Sequence, residues 1–103
     1  MKNAIVTGCL GGIGKAIAEK FLSEGYRVFG MGRTPIEKAR MSISHPDFVY
    51  LTGDLSVTED RERLLDTAIR VGGQIDVLVN VAGVAPKVRA DLLEMTASAG
   101  FPS

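Results

Sequence analysis

The sequence predicts a doubly wound α/β domain built on a parallel sheet of about four strands. Three observations carry that prediction. Short apolar runs alternate with segments of helical periodicity, glycines punctuate the alternation, and the runs lack the polar residues that would mark one wet face. Strands apolar on both sides belong to parallel sheets with helices on each face. A chain of 103 residues, 46% hydrophobic and 23% charged, has room for one such core. At this size roughly 60–70% of the unfolded surface is buried.

Asn3 to Thr7 reads as the first strand. Ile13, Ala16, Ile17 and Phe21 then recur at helical spacing, with Lys15, Glu19, Lys20 and Glu24 between them and Gly25 as the stop. Tyr26 to Met31 is a second strand. Thr34-Pro35-Ile36-Glu37 has the form of a capping box, with Thr34 as cap and Pro35 at the first helical position, and predicts a short helix to about Met41. His45-Pro46 breaks the chain before a third strand, Phe48 to Leu51. Ser56-Val57-Thr58-Glu59 repeats the capping logic and opens a helix with Leu64, Leu65, Ala68 and Ile69 on its buried side, closed by Gly72-Gly73. Ile75 to Val81 is the fourth strand. A weak helical pattern follows over 87–96, and residues 97–103 read as an irregular tail.

Twelve basic residues balance twelve acidic ones, so no strong field exists to attract nucleic acid or anionic lipid. One cysteine excludes an internal disulfide and fits a reducing compartment. The three-residue apolar run before Cys9 is too short for a lipoprotein signal, which needs about 7–15 residues. No stretch approaches the roughly 18 apolar residues of a membrane span. The expected location is cytoplasmic. His45, alone in its turn, has no second histidine with which to build a metal site.

The stretch TGCLGGIGKA, residues 7–16, carries the chemistry. Glycines at a strand-to-helix turn let the backbone approach a pyrophosphate, whose charge then sits at the helix N-terminus. The P-loop template fails twice, because Cys9 stands at its leading glycine and Ala16 at its hydroxyl. The G-x-G-x-x-G fingerprint matches at Gly12 and Gly14 but meets Ile17 at its third glycine. Cys9 itself, just ahead of a helix, reads as a small filler in preference to a reactive thiol.

Thr7-Gly8 followed three residues later by Gly12-Ile13-Gly14 resembles the T-G-x-x-x-G-x-G loop of the short-chain dehydrogenase/reductase family. Two further stretches match in the family's order and at strand ends: Gly53-Asp54-Leu55, and Asn80-Val81-Ala82-Gly83, which is similar to N-N-A-G. The resemblance covers residues 1 to about 96 and implies an NAD(P)-binding, Rossmann-type half-domain. It implies cofactor contacts at Gly8, Gly12, Ile13 and Gly14, an adenine contact at Asp54 with Leu55 beside it, and a ribose-side wall at Asn80, Ala82 and Gly83. Val81 replaces the second asparagine of the motif, and Gly11 stands where serine is frequent.

Cofactor choice turns on the end of the second strand. An acid there would accept from the ribose 2′-hydroxyl of NAD. This chain has Gly32-Arg33-Thr34, and a guanidinium suits a 2′-phosphate, so NADP is favoured over NAD. The alternative is that Arg33 is a solvated loop residue and Thr34 only a helix cap.

The family's hydride transfer also needs a tyrosine with a lysine four residues later. Here Tyr26 is followed at that spacing by Gly30, and Tyr50 by Asp54. No catalytic residue is therefore assigned, and the chain reads as a truncated, N-terminal portion of an oxidoreductase. It is then a binding module inactive alone, an enzyme when complemented by a C-terminal half, or a structural remnant. The resemblance implies the strand order 3-2-1-4, which lets the glycine loop and the Asn80 motif flank one crevice. The first two helices would cover one face and the third the other. The fourth strand would then be an apolar edge, open to self-association through residues 75–81.

Overall fold

The computed structural model describes residues 1–81 and Glu94. Seven elements follow in order: β1 (Asn3–Thr7), α1 (Gly12–Ser23), β2 (Arg27–Gly32), α2 (Ile36–Ser42), β3 (Phe48–Thr52), α3 (Thr58–Gly72) and β4 (Val77–Asn80). The sheet order is β3-β2-β1-β4 and every pairing is parallel, as the sequence predicts. Ile5 lies opposite Phe29 on one side and Leu78 on the other, and Thr7 lies opposite Asn80.

Successive strand residues point to opposite faces, and the two faces have separate partners. Val6, Val28 and Tyr50 pack with Ala18 and Leu22 of α1 and with Ala39 of α2. Ile5, Phe29 and Met31 pack with Leu64, Leu65 and Ala68 of α3, joined by Ile75. The expected division of the helices between the two faces is therefore observed. β1 is buried at all five positions, whereas β4 is only half-buried along its length. Full burial of a side chain such as Ile5, Phe29 or Leu64 contributes roughly 1.5–3 kcal/mol, so this central layer dominates the core.

Gly25 and Gly73, just past α1 and α3, have φ of +86° and +87°, left-handed values that let each helix end in a sharp turn. The helix starts depart from expectation. α2 is capped by Pro35 and α3 by Val57, and neither has a side-chain cap bond. The two capping boxes do not form because each helix starts one residue later than that spacing implies, which leaves Thr34 and Ser56 outside the cap position. The carbonyl of Thr34 accepts the Tyr50 hydroxyl at 2.8 Å, and the Ser56 hydroxyl donates to Asp54 Oδ1 at 2.7 Å. Glu59 and Asp60 in the first turn of α3 still complement the helix dipole. Among the described residues no helix is long and apolar enough to cross a membrane. The helical pattern over 87–96 and the tail 97–103 lie outside the described residues, Glu94 apart.

Candidate functional site

Because all four strands run parallel, their C-terminal ends share one edge of the sheet. Read across it, the positions are Asp54 beyond β3, Arg33 beyond β2, Gly8 beyond β1 and Asn80 at the end of β4. Chain order reverses between β1 and β4, and ligands of open α/β sheets bind at such a switch point.

The loop after β1 is set by two close approaches. Gly8 has φ +65°, and its carbonyl accepts the Gly11 N–H at 3.1 Å, which closes the turn. A Cβ on Gly14 would fall on the Gly8 carbonyl oxygen, so the first turn of α1 packs backbone against backbone. Gly12 is different. A Cβ there would meet nothing within 4 Å, so packing gives no reason for a glycine at this place. The bare Cα faces open space beside the helix N-terminus, where an anion would lie.

Lys15 donates to the Gly11 carbonyl at 2.7 Å, and no side chain caps the helix. Among the described residues the amides of Gly12, Ile13 and Gly14 have no backbone acceptor, the usual condition of a first turn. Ile13 is 70% exposed at the same spot, although its apolar side chain favours cover.

The Thr7 hydroxyl ties β1 to β4. It accepts the Val81 N–H at 3.1 Å and donates to Asn80 Oδ1 at 3.0 Å, with the Val79 carbonyl next nearest at 3.3 Å. Asn80 thus stands beside the glycine loop, and a Cβ at Gly8 would touch the Val81 side chain at 3.4 Å. Thr7 went unassigned in the sequence reading, although it opens the matched motif. Its role depends on a partner 73 residues away. Ala82 and Gly83 lie outside the described residues.

At the other end of the edge, Arg33 and Asp54 come together. Arg33 Nη2 is 3.7 Å from Asp54 Oδ2, with the arginine side chain 82% exposed. Asp54 Oδ1 is taken up by Ser56, accepting its N–H at 2.9 Å and its hydroxyl at 2.7 Å. The Ser56 side chain and backbone are the main causes that hold the Asp54 carboxyl below the usual carboxylate range, with a lesser contribution from Arg33. Leu55 is half-buried, and its carbonyl accepts from Arg61 Nη1 at 2.6 Å. Arg61 is 2% exposed, a buried cation that nothing in the helical pattern of α3 signals.

Cys9 is the filler that the sequence suggests. It is 1% exposed, its sulfur occupies the space a Cβ on Gly30 would need, and burial pushes its thiol up to about 11. Such a thiol is protonated and shielded at neutral pH. Among the described residues no cluster of three or more His, Cys, Asp or Glu side chains could hold a metal ion.

A strand-order switch point and a glycine turn at a helix N-terminus are features that dinucleotide-binding α/β sheets share. The sequence model of the short chain dehydrogenase family matches residues 2–101, and the chain belongs to that family. It is 39% identical over 95 residues to ketoacyl reductase 2 of the granaticin polyketide synthase of Streptomyces violaceoruber, covering 90% of this chain and 38% of that protein. To the NADP-dependent (R)-specific alcohol dehydrogenase of Lentilactobacillus kefiri it is 41% identical over 87 residues, 82% of this chain and 34% of that one. The glucose dehydrogenase of Caenorhabditis elegans superposes with a TM-score of 0.83 at 26% identity, over 94% of this chain and 48% of its own. The chain spans about a third of the length of the curated relatives and about half of the solved chain.

Proposed function

We propose that this chain binds an adenine dinucleotide along the C-terminal edge of its sheet, NADP(H) in preference to NAD(H). It would serve as the N-terminal, cofactor-binding portion of a short-chain dehydrogenase/reductase. The observation that carries the reading is Gly12: a glycine with open space above it, at an uncapped helix N-terminus. In this reading the amides of Gly12, Ile13 and Gly14 receive the pyrophosphate. Gly8 keeps the approach clear, and Asn80, Ala82 and Gly83 border the ribose. Asp54 and Leu55 meet the adenine, while Arg33 and Thr34 meet the 2′-phosphate. When bound, the dinucleotide would supply a hydride. This chain's own part is to orient it and to shield one face.

The NADP preference rests on Arg33, which is exposed and only loosely paired, and is supported by the likeness to an NADP-dependent alcohol dehydrogenase. Calorimetry should show binding of NADPH more tightly than NADH. Arg33→Ala should weaken NADPH about tenfold or more, the value of a charge-assisted contact, and NADH much less. Equal losses would remove Arg33 as the selector, and no binding of either cofactor would overturn the reading.

With no tyrosine–lysine pair at the family spacing around Tyr26 or Tyr50, we infer that the chain alone does not turn over carbonyl substrates. A second reading, an oxidoreductase complemented by further residues, is supported by the fraction of its relatives that the chain spans. Among the described residues β4 pairs with β1 alone and is half-buried, which supports self-association through that edge. The single, buried cysteine is compatible with a cytoplasmic setting.

A further inference from the structure

We propose that Asp60, in the first turn of α3, is a positioning residue that aims the Asp54 carboxylate at the nucleotide; the proposal rests on the dinucleotide reading above. Asp60 Oδ2 accepts the backbone N–H of Asp54 at 2.9 Å. The Asp54 carbonyl accepts the Val57 N–H, also at 2.9 Å, so both backbone groups of Asp54 are fixed from the α3 side. Ser56 then holds Oδ1, which leaves Oδ2 as the oxygen that faces outward toward Arg33.

Asp60 is itself braced. Its Oδ1 lies 3.4 Å from Arg63 Nη2, and the same nitrogen donates to the Thr52 carbonyl at 2.7 Å, at the end of β3. A carboxylate and a guanidinium thus bracket the turn between strand and helix. Arg61 adds a third tie through the Leu55 carbonyl. A helix needs only an acid somewhere in its first turn to satisfy its dipole, and Glu59 already supplies one. The hydrogen bond that Asp60 accepts from Asp54 exceeds that need and acts on a residue whose outer carboxylate oxygen is met only by the exposed Arg33, at 3.7 Å.

The test is calorimetric titration of the full chain with NADPH and NADH. Asp60→Ala should weaken both dinucleotides about tenfold, the loss of one well-placed hydrogen bond to a charged group. Asp60→Asn keeps an acceptor for the Asp54 N–H and should bind within about twofold of the parent. In an Asp54→Ala background, Asp60→Ala should have no further effect, since the side chain it aims is gone. A purely structural residue would lower affinity equally in both backgrounds, and that result overturns the proposal. So does an Asp60→Asn variant as weak as Asp60→Ala. Should Asp60→Ala fail to fold, Asp60→Glu keeps the first-turn charge and displaces the carboxylate by one methylene. Its affinity should fall several-fold, and unchanged affinity overturns the proposal. A parent protein that binds neither dinucleotide defeats the dinucleotide reading, and this inference with it.

Discussion

The two ends of the sheet treat their polar groups in opposite ways. At the N-terminal edge, Asn3 is 1% exposed and its amide nitrogen donates to the Gly72 carbonyl at 3.0 Å and to that of Met1 at 3.4 Å. Its backbone N–H donates to Asp76 Oδ2 at 2.8 Å, and Asp76 N–H returns a bond to the Asn3 carbonyl at 2.9 Å. Gln74 occupies the second oxygen of Asp76, and Arg27 reaches the Val71 carbonyl. Asn3 Oδ1 is buried there without a hydrogen-bond partner. At the C-terminal edge the polar groups open outward: the amides of the first turn of α1, the Arg33 guanidinium and one oxygen of Asp54. The first edge is closed in a buried cluster, whereas the second, though tied by Thr7 to Asn80 and by Asp60 to Asp54, leaves the Arg33 guanidinium exposed.

The two ends of α1's first turn repeat the contrast within one tripeptide, and substitutions separate them. The largest effect should come from Gly14→Ala. Its new methyl has the Gly8 carbonyl in its way, and backbone on both sides cannot yield as a side chain would. Overpacking of this kind costs about 3 kcal/mol or more. In a domain of this size that is a fall of roughly 12–24 °C in melting temperature. A melt within a few degrees of the parent would show that the helix sits farther from the loop than described.

Asn3→Ala should come next. It leaves the half-buried Gly72 carbonyl without its side-chain donor and costs about 2 kcal/mol. Dinucleotide affinity of the folded protein, measured well below the melt, should not change. A drop in affinity would mean that the two edges are coupled.

Arg33→Ala should have the smallest effect on stability. An exposed pair at 3.7 Å contributes little to stability, so the melt should move by a few degrees at most while NADPH binding weakens. A large loss of stability would place Arg33 with the closed edge and not the open one.

Much of this was legible in the sequence, for reasons that particular residues make clear. The parallel, doubly covered sheet followed from uniform apolar runs, because burial on both sides leaves a signal in every residue of a strand. The strand order came instead from the family resemblance of the glycine loop and the Asn80 motif. Gly12 and Gly14 were read alike as members of one motif. The space around each separates them: Gly14 is packed against the Gly8 carbonyl, whereas Gly12 has nothing within 4 Å of where a Cβ would stand.

The capping boxes at Thr34 and Ser56 miss by one residue, because local spacing does not fix where a helix starts: the caps fall on Pro35 and Val57. Arg61 and Asp60 carry no signal in the helical pattern of α3. Their roles appear once α3 folds back over the end of β3. Thr7 and Asn80 meet across 73 residues, a pairing that no window along the chain contains.

The central claim is that Gly12 is a glycine for the sake of a ligand, and Gly12→Ala tests it most directly. Its φ is not in the left-handed region, and a methyl there meets open space, so alanine fits the helix. Alanine gains up to about 1 kcal/mol over glycine inside a helix. The account predicts a melting temperature equal to or above the parent's, together with NADPH affinity reduced by at least tenfold as the methyl enters the phosphate's place. A destabilised variant, or one that binds NADPH as the parent does, would contradict it.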